Sequence, residues 1–385
     1  MNRKKIAIEA QRLFRKQKHG MDVVALELLR RLRNADTDFD IQVLVKEDAD
    51  SCLENGPVLS VQTLKPVFYP LWEQWILPRF LAAQSPHANL LHCTGNTAPL
   101  WGKTPLLITI HDLIFLEENY LFKKDGGSLY QRFGNFYRSI VVPMAARKAK
   151  YIITVSEFQR KLIMKRLQVP ANKISVVYNG ADERFFKQAS ERAIEEGIKK
   201  YGIIQFSYFF FIANTEPRKN TNGVIKAFAL FCKLYPAYPH KLVIKGLTEE
   251  QLQKKITACA AESIAHRIHR VGYIAYEDLP LLYQGSSMLW FPSFNEGFGL
   301  PIVEAMAGGT PVITSNVSVM PEIAGDAALY IDPNQPEQLA EQAHALLSNE
   351  LLRNELIGKG KKRAAEFTWT NSLNALLKVY NQLIS

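Results

Sequence analysis

The chain has 385 residues, 47% of them hydrophobic and 22% charged, a globular balance that excludes an extended disordered protein. That length exceeds the size at which one core keeps growing and predicts two domains. The net charge of +10 is confined to the first half: residues 1–187 hold 28 Lys/Arg against 18 Asp/Glu, and residues 188–385 hold 19 of each. A basic half is drawn to a phosphorylated ligand, an acidic membrane surface or nucleic acid, or serves solubility alone. No window holds the roughly 18 consecutive apolar residues that a membrane span requires. The N-terminus, MNRKKIAIEAQRLFRK, is basic but lacks the apolar stretch and small-residue cleavage site of a signal peptide. Cys52, Cys93, Cys232 and Cys259 show no metal-ligand spacing, which predicts a reduced, cytoplasmic chain without structural metal or disulfides.

In chain order, the first half predicts strands at Lys5–Glu9, Ile41–Val45, Leu90–His92, Leu106–Ile110, Tyr151–Val155 and Ile174–Val177. Helical stretches fall between them at Met21–Leu32, Ser128–Arg147 and Glu157–Leu167. PVFYPLWEQWILPRFL (Pro66–Leu81) sets two tryptophans beside an arginine; it reads as a helix on its own sheet, with a membrane-surface or acceptor helix as the alternative. The acidic runs Asp36–Asp40 and Glu47–Asp50 contain DxD-like spacing and read as turns, which leaves no case for a metal. Residues 184–204 are charged, helix-prone and without strand character, and residues 188–204 are expected as a linker. The second half predicts strands at Ser207–Ala213, Leu242–Lys245, His269–Gly272, Met288–Phe291 and Val312–Thr314, again alternating with helices. Continuous apolar strands fit parallel sheets covered on both faces. The fold class is therefore α/β, with two doubly wound domains and a ligand site in a deep cleft between them. The expected domains are 1–187, joined by a C-terminal helix 368–385, and 205–367.

SFNEGFGLPIVEAMAGGTPVITS (Ser293–Ser315) carries the densest signal. Pro292 stops a strand, Pro301 opens a short helix, and Gly308–Gly309 close it. Gly297 and Gly299 free the loop for positive φ and for a close ligand. The helix N-terminus behind them offers unpaired N–H groups to an anion. Glu304, near the helix start, would suit a ribose diol, and Glu296 lies closer to whatever extends beyond the phosphates. A helix-dipole carboxylate and a solvated loop residue are the plainer alternatives.

This stretch strongly resembles the Glu-x7-Glu signature of retaining family 4 glycosyltransferases with the GT-B fold. The resemblance continues in IHDL (Ile110–Leu113), TVSEFQRKLI (Thr154–Ile163), VVYNGAD (Val176–Asp182), TEPRKN (Thr215–Asn220), VGYIAYEDLPLLYQGS (Val271–Ser286) and VSVMPEIAGDAALYIDP (Val317–Pro333). It implies two Rossmann-like domains. Glu304 would bind the ribose of a sugar nucleotide and Glu296 would face the donor sugar, with the amides of Phe298, Gly299 and Leu300 near the diphosphate. Lys219 and Arg218 would neutralise the leaving diphosphate, and His111 would lie near the reaction centre. Gly20 would border the diphosphate and acceptor, and Gly246 and Tyr273 would stand where the family holds the nucleobase. The implied reaction is a metal-independent, retaining hexose transfer by front-face attack, with no cofactor beyond the nucleotide-sugar donor. GDP-mannose is the leading donor and a UDP-sugar the second. The basic first domain suits an anionic or lipid-linked glycan acceptor in polysaccharide biosynthesis, with peripheral contact to an anionic membrane. No nucleic-acid partner is expected, since no nucleic-acid motif is visible. The alternatives are a nucleotide-sugar epimerase on the same scaffold and a non-catalytic binding subunit.

Overall fold

In the computed structural model, residues 3–16, 18, 20–65, 67–116 and 129–384 are described, without the side chains of 129–132. The chain divides into two compact units, Met1–Asn179 with Trp369–Ser385, and Gly180–Thr368.

Unit 1 is built on a sheet of order β3-β2-β1-β4-β5-β6-β7, all pairs parallel. The strands are β1 (Lys4–Glu9), β2 (Phe39–Lys46), β3 (Leu59–Leu64), β4 (Leu90–Cys93), β5 (Leu106–Ile110), β6 (Tyr151–Thr154) and β7 (Ile174–Val176). β4, β5 and β6 are buried throughout, as continuous apolar runs between two helical layers should be. Alternation divides the core. Ile6 and Ile8 join Leu26 and Leu29 of helix α1 (Gly20–Leu32) on one face. Ala7 joins Trp72, Ile108 and Val142 on the other.

The second face is covered by α2, a helical run of Tyr69–Leu71, a π turn Trp72–Ile76 and Leu77–Ala83, and by α3 (Leu129–Lys148). Ser128 of the expected helix lies outside the described residues, as does Pro66. Helix α4 (Glu157–Leu167) is capped by Ser156, whose side chain accepts from the Gln159 amide, as N-cap serines do. The C-terminal helix returns to unit 1. Its Tyr380 hydroxyl bonds His92 Nδ1 at 2.7 Å, and His92 Nε2 meets Thr109 Oγ1 at 2.7 Å.

Unit 2 has the order β10-β9-β8-β11-β12-β13, also parallel. The strands are β8 (Tyr208–Ile212), β9 (Lys241–Lys245), β10 (Ile268–Val271), β11 (Met288–Phe291), β12 (Val312–Ser315) and β13 (Leu329–Ile331). Aromatic packing anchors it: Phe209 stacks on Trp290 at 4.8 Å and meets Phe231 edge-on at 5.0 Å.

The boundary falls between Asn179 and Gly180, earlier than the expected 187. Residues 188–204 are part of unit 2 rather than a free linker. Ser190 caps helix α5 (Glu191–Lys199), whose Ile194 and Ile198 are buried. A Cβ on its Gly197 would stand 2.3 Å from Leu281 Cδ1. The physical cause is amphipathicity: a charged helix with one apolar stripe buries that stripe.

Candidate active site

Strand order reverses between β8 and β11 in unit 2 and between β1 and β4 in unit 1. At such switch points the following loops part and leave a crevice at the strands' C-terminal ends. Most of the candidate residues stand at these two points; Gly246 and Tyr273 follow β9 and β10, outside the reversal.

In unit 2, Pro217–Lys219 forms a 3₁₀ turn after β8, closed by Asn220 at φ 56°. The Asn220 amide donates to the Pro292 and Pro333 carbonyls, 3.1 and 2.7 Å away, and the Phe294 N–H donates to the Arg218 carbonyl at 2.7 Å. These bonds tie the loop after β8 to the loop after β11. Glu296 then lies between two cations, its Oε1 2.7 Å from Lys219 Nζ and its Oε2 2.6 Å from Arg218 Nη1. Burial pushes the Glu296 carboxyl up, but Lys219 and then Arg218 outweigh it and hold it below the usual carboxylate range. Lys219 Nζ also sits 4.9 Å from the centre of the Phe291 ring. Sequence reasoning assigned the cations to a diphosphate and Glu296 to a sugar; the structure joins the three in one charge cluster.

Helix α9 (Leu300–Ala307; α6 is Thr221–Leu234, α7 Glu249–Ala258 and α8 Leu279–Gln284) begins at Gly299. Gly299 takes φ 96°, whereas Gly297 has no positive φ; the expected backbone freedom is used at one glycine of the two. Phe298 is buried and meets Phe367 edge-on at 5.6 Å, so its side chain anchors the loop. Leu300 is the first residue of the helix. Glu304 is half-buried, accepts from the Tyr283 hydroxyl at 2.8 Å and faces the charge of Lys245 at the end of β9. Burial pushes its carboxyl up, with Tyr283 and Lys245 opposing. Glu296 and Glu304 thus have separate partners, unlike an acid/base pair sharing a proton.

Gly246 adopts φ 102°, and a Cβ there would stand 2.4 Å from the Ala213 carbonyl oxygen. Close approach of two backbones after β9 and β8 therefore requires glycine. Tyr273, after β10, is 90% exposed.

In unit 1, His111 follows β5 and is buried. It bonds the Thr94 carbonyl through Nε2 at 2.9 Å, and its N–H donates to Asn96 Oδ1 at 2.7 Å. A carbonyl can only accept, so Nε2 carries the proton. Burial lowers the imidazole pKa, with the Thr94 bond opposing. Gly20 opens α1 into open space, with no positive φ.

Two groups at this switch point escaped sequence reasoning. Glu9 ends β1, accepts from the Gln11 amide at 2.9 Å, and is raised from 4.5 to about 7, chiefly by burial. A carboxylate closing a buried apolar strand was its signal. Glu73 is fully buried in α2 and accepts from Tyr69, Thr97, Tyr137 and Gln74. Arg12 pairs with Asp22 at 3.1 Å beside Glu9.

The model of Glycosyltransferase Family 4 matches residues 19–185, and that of Glycosyl transferases group 1 matches residues 182–363. The chain belongs to the family 4 glycosyltransferases. Among similar proteins, this glycosyltransferase is 32% identical over 237 residues to the O-antigen chain mannosyltransferase B of Escherichia coli. That match spans 61% of each chain. It is 27% identical over 275 residues to the O-antigen chain mannosyltransferase RfbU of Salmonella typhimurium, covering 70% of this chain and 68% of that one. The fold is that of Anabaena Alr3699/HepE, with TM-score 0.74 and 17% identity over 98% of this chain and 100% of that one. In the glycosyltransferase, Asp50 of the early acidic run pairs with Lys18, which accounts for that DxD-like residue as part of a surface ion pair. Among the described residues, no helix is long and apolar enough to cross a membrane.

Proposed function

We propose that this glycosyltransferase moves a hexose, mannose first among the candidates, from a nucleotide-diphosphate sugar to a hydroxyl of a glycan or lipid-linked glycan. The transfer proceeds in polysaccharide biosynthesis at the cytoplasmic face, with retention and without a metal. The observation that carries it is the convergence of Lys219 and Arg218 on Glu296, in the loop that leads from β11 to the helix starting at Leu300. Fixed cations and a helix N-terminus are what a departing diphosphate requires, and preorganised charge is worth most there. Glu304, at the same helix, would accept from the ribose hydroxyls, and exposed Tyr273 offers a ring to the base.

In this reading the sugar C1–O bond to the diphosphate breaks as the acceptor oxygen bonds C1 on the same face. The acceptor proton passes to a diphosphate oxygen. Neutral His111 would hydrogen-bond near the reacting sugar without adding charge. Lys219 and Arg218 supply the positive charge that a metal would otherwise provide. Mannose and polysaccharide biosynthesis are supported by the two O-antigen mannosyltransferases at 32% and 27% identity. A UDP-sugar is second, since HepE was solved with UDP and glucose.

The test is turnover with a panel of nucleotide sugars and glycan or lipid-linked acceptors. Acceptor-dependent release of GDP from GDP-mannose, with an α-linked product, is expected. Conversion of the donor to an isomeric nucleotide sugar without acceptor would instead make the protein an epimerase.

A further inference from the structure

We propose that Tyr283 is a positioning residue for the nucleotide site: its hydroxyl fixes one oxygen of Glu304 so that the other is presented to the ribose hydroxyls of the donor. The inference deepens the proposed function and rests on the reading of Glu304 given there. The Tyr283 hydroxyl donates to Glu304 Oε2 at 2.8 Å. Tyr283 is fully buried on α8, whereas Glu304 on α9 is half-buried. Among the described residues no other hydrogen bond reaches the Glu304 carboxylate, which leaves Oε1 for a ligand. A carboxylate accepts at both oxygens, so a bond at one leaves the other able to take a diol.

Tyr283 is itself held by packing. Its ring meets Phe210 of β8 edge-on at 5.2 Å and Phe185 at 5.8 Å. Its carbonyl accepts from the Thr310 and Ser286 hydroxyls, each at 2.7 Å. Phe185 in turn meets Tyr276 edge-on at 6.3 Å, and Arg184, paired with Asp182 at 3.0 Å, lies 4.4 Å from the Tyr276 ring centre. A phenol fixed in this way aims its hydroxyl in one direction. It removes rotamer freedom from Glu304 before a ligand arrives, and a preorganised partner costs less to bind. Phenylalanine would fill the same space, so packing alone does not account for the hydroxyl.

The same bond helps to keep Glu304 charged. Burial pushes the carboxyl up, the Tyr283 bond is the largest influence opposing it, Lys245 is the next, and Asp182 adds to the rise. These groups face Glu304 from α8, from the end of β9 and from the segment before the Glu183–Phe186 helix. The cations of the Glu350–Ala364 helix turn elsewhere: Lys361 bonds Gln188 at 3.3 Å, and Arg363 bonds the Ile323 and Glu322 carbonyls at 3.0 and 2.6 Å. An ionised carboxylate accepts strongly from a diol, and a protonated one gives up part of that capacity. Without the Tyr283 hydroxyl the carboxyl rises further, so the preference for ribose is lost at a higher pH as pH falls.

Calorimetric titration of the full chain with GDP and its 2′,3′-dideoxy form, and with the corresponding UDP pair, over about pH 5 to 8 tests it. The wild type should prefer the ribose form by at least about tenfold. Tyr283→Phe keeps the ring and the bonds to its carbonyl, so the fold survives, which an unchanged thermal midpoint verifies. It should lower the ribose preference by about three- to tenfold at neutral pH and move the pH at which that preference fails upward, with dideoxy affinity unchanged. Glu304→Gln, which still offers an acceptor to the Tyr283 hydroxyl, should show a small preference that does not vary with pH. A Tyr283→Phe preference and pH profile equal to the wild type's would overturn the inference while the ribose reading stands. So would equal weakening of both nucleotides with the profile unmoved, the mark of a purely structural bond. No ribose preference in the wild type contradicts the reading of Glu304 itself, and the inference falls with it.

Discussion

Glu296 is the residue on which the proposed donor site turns. Its charge is shared between Lys219 and Arg218, and Arg218 also pairs with Glu216 at 2.5 Å, so in the proposed reaction a diphosphate competes with Glu296 for those cations. Glu296→Gln should therefore bind nucleoside diphosphate more tightly, by about three- to tenfold, while turnover falls because the cations are no longer aligned. Calorimetric titration beside steady-state kinetics checks this; weaker nucleotide binding would place Glu296 on the nucleotide itself. Glu9 makes a separate prediction. Its folded-state pKa is raised from 4.5 to about 7 by burial, so the native state holds its proton more tightly than the unfolded chain. The stabilisation from that proton is complete below the unfolded value and is lost as pH rises toward and through 7. Relative to Glu9→Gln, the wild type should lose about 3 kcal/mol between pH 4.5 and 8, read from urea unfolding at each pH. Neither behaviour was visible in the sequence. The ion pairs join residues 77 and 78 positions apart, and the burial of Glu9 depends on α2, whose covering role its composition left open.

At the level of elements, most strands were legible because buried parallel strands are unbroken apolar runs: Leu106–Ile110 and Met288–Phe291 fall where the sequence placed them. β3 and β13 were missed, and both are edge strands: β3 is largely exposed and of mixed polarity, and β13 is only three residues long. Loop geometry was legible only where glycine betrayed it. Gly246 holds the β9 loop against the Ala213 carbonyl at a left-handed φ, a constraint with no sequence signal beyond the residue itself. Gly246→Ala should destabilise the protein by about 1–3 kcal/mol and weaken nucleotide binding, both measurable by denaturation and titration. Glu73 has the corresponding role in unit 1, where it binds α2 to Thr97 after β4 and to Tyr137 of α3. Glu73→Leu strands those donors and should destabilise by several kcal/mol, whereas Glu73→Gln keeps one of the two acceptor oxygens, against an NH2 that hydroxyl groups can turn to accept, and should lose less.

Across the whole molecule, charge and chemistry divide between the units. Unit 1 holds 27 Lys/Arg against 16 Asp/Glu, and unit 2 holds 20 against 21. The asymmetry was legible from composition; which side of α3 is covered was not, because that helix carries apolar residues on both sides. Unit 2, near neutral overall, gathers two cations at the switch point of its sheet. The central claim is that these cations hold the diphosphate of a sugar nucleotide. The most direct test is calorimetric titration of wild type and Lys219→Ala with a nucleoside diphosphate and with the bare nucleoside. The account predicts at least about tenfold weaker diphosphate binding in the variant, unchanged nucleoside binding, and turnover lower by about 10²–10³. Equal diphosphate affinity in the two proteins would contradict it.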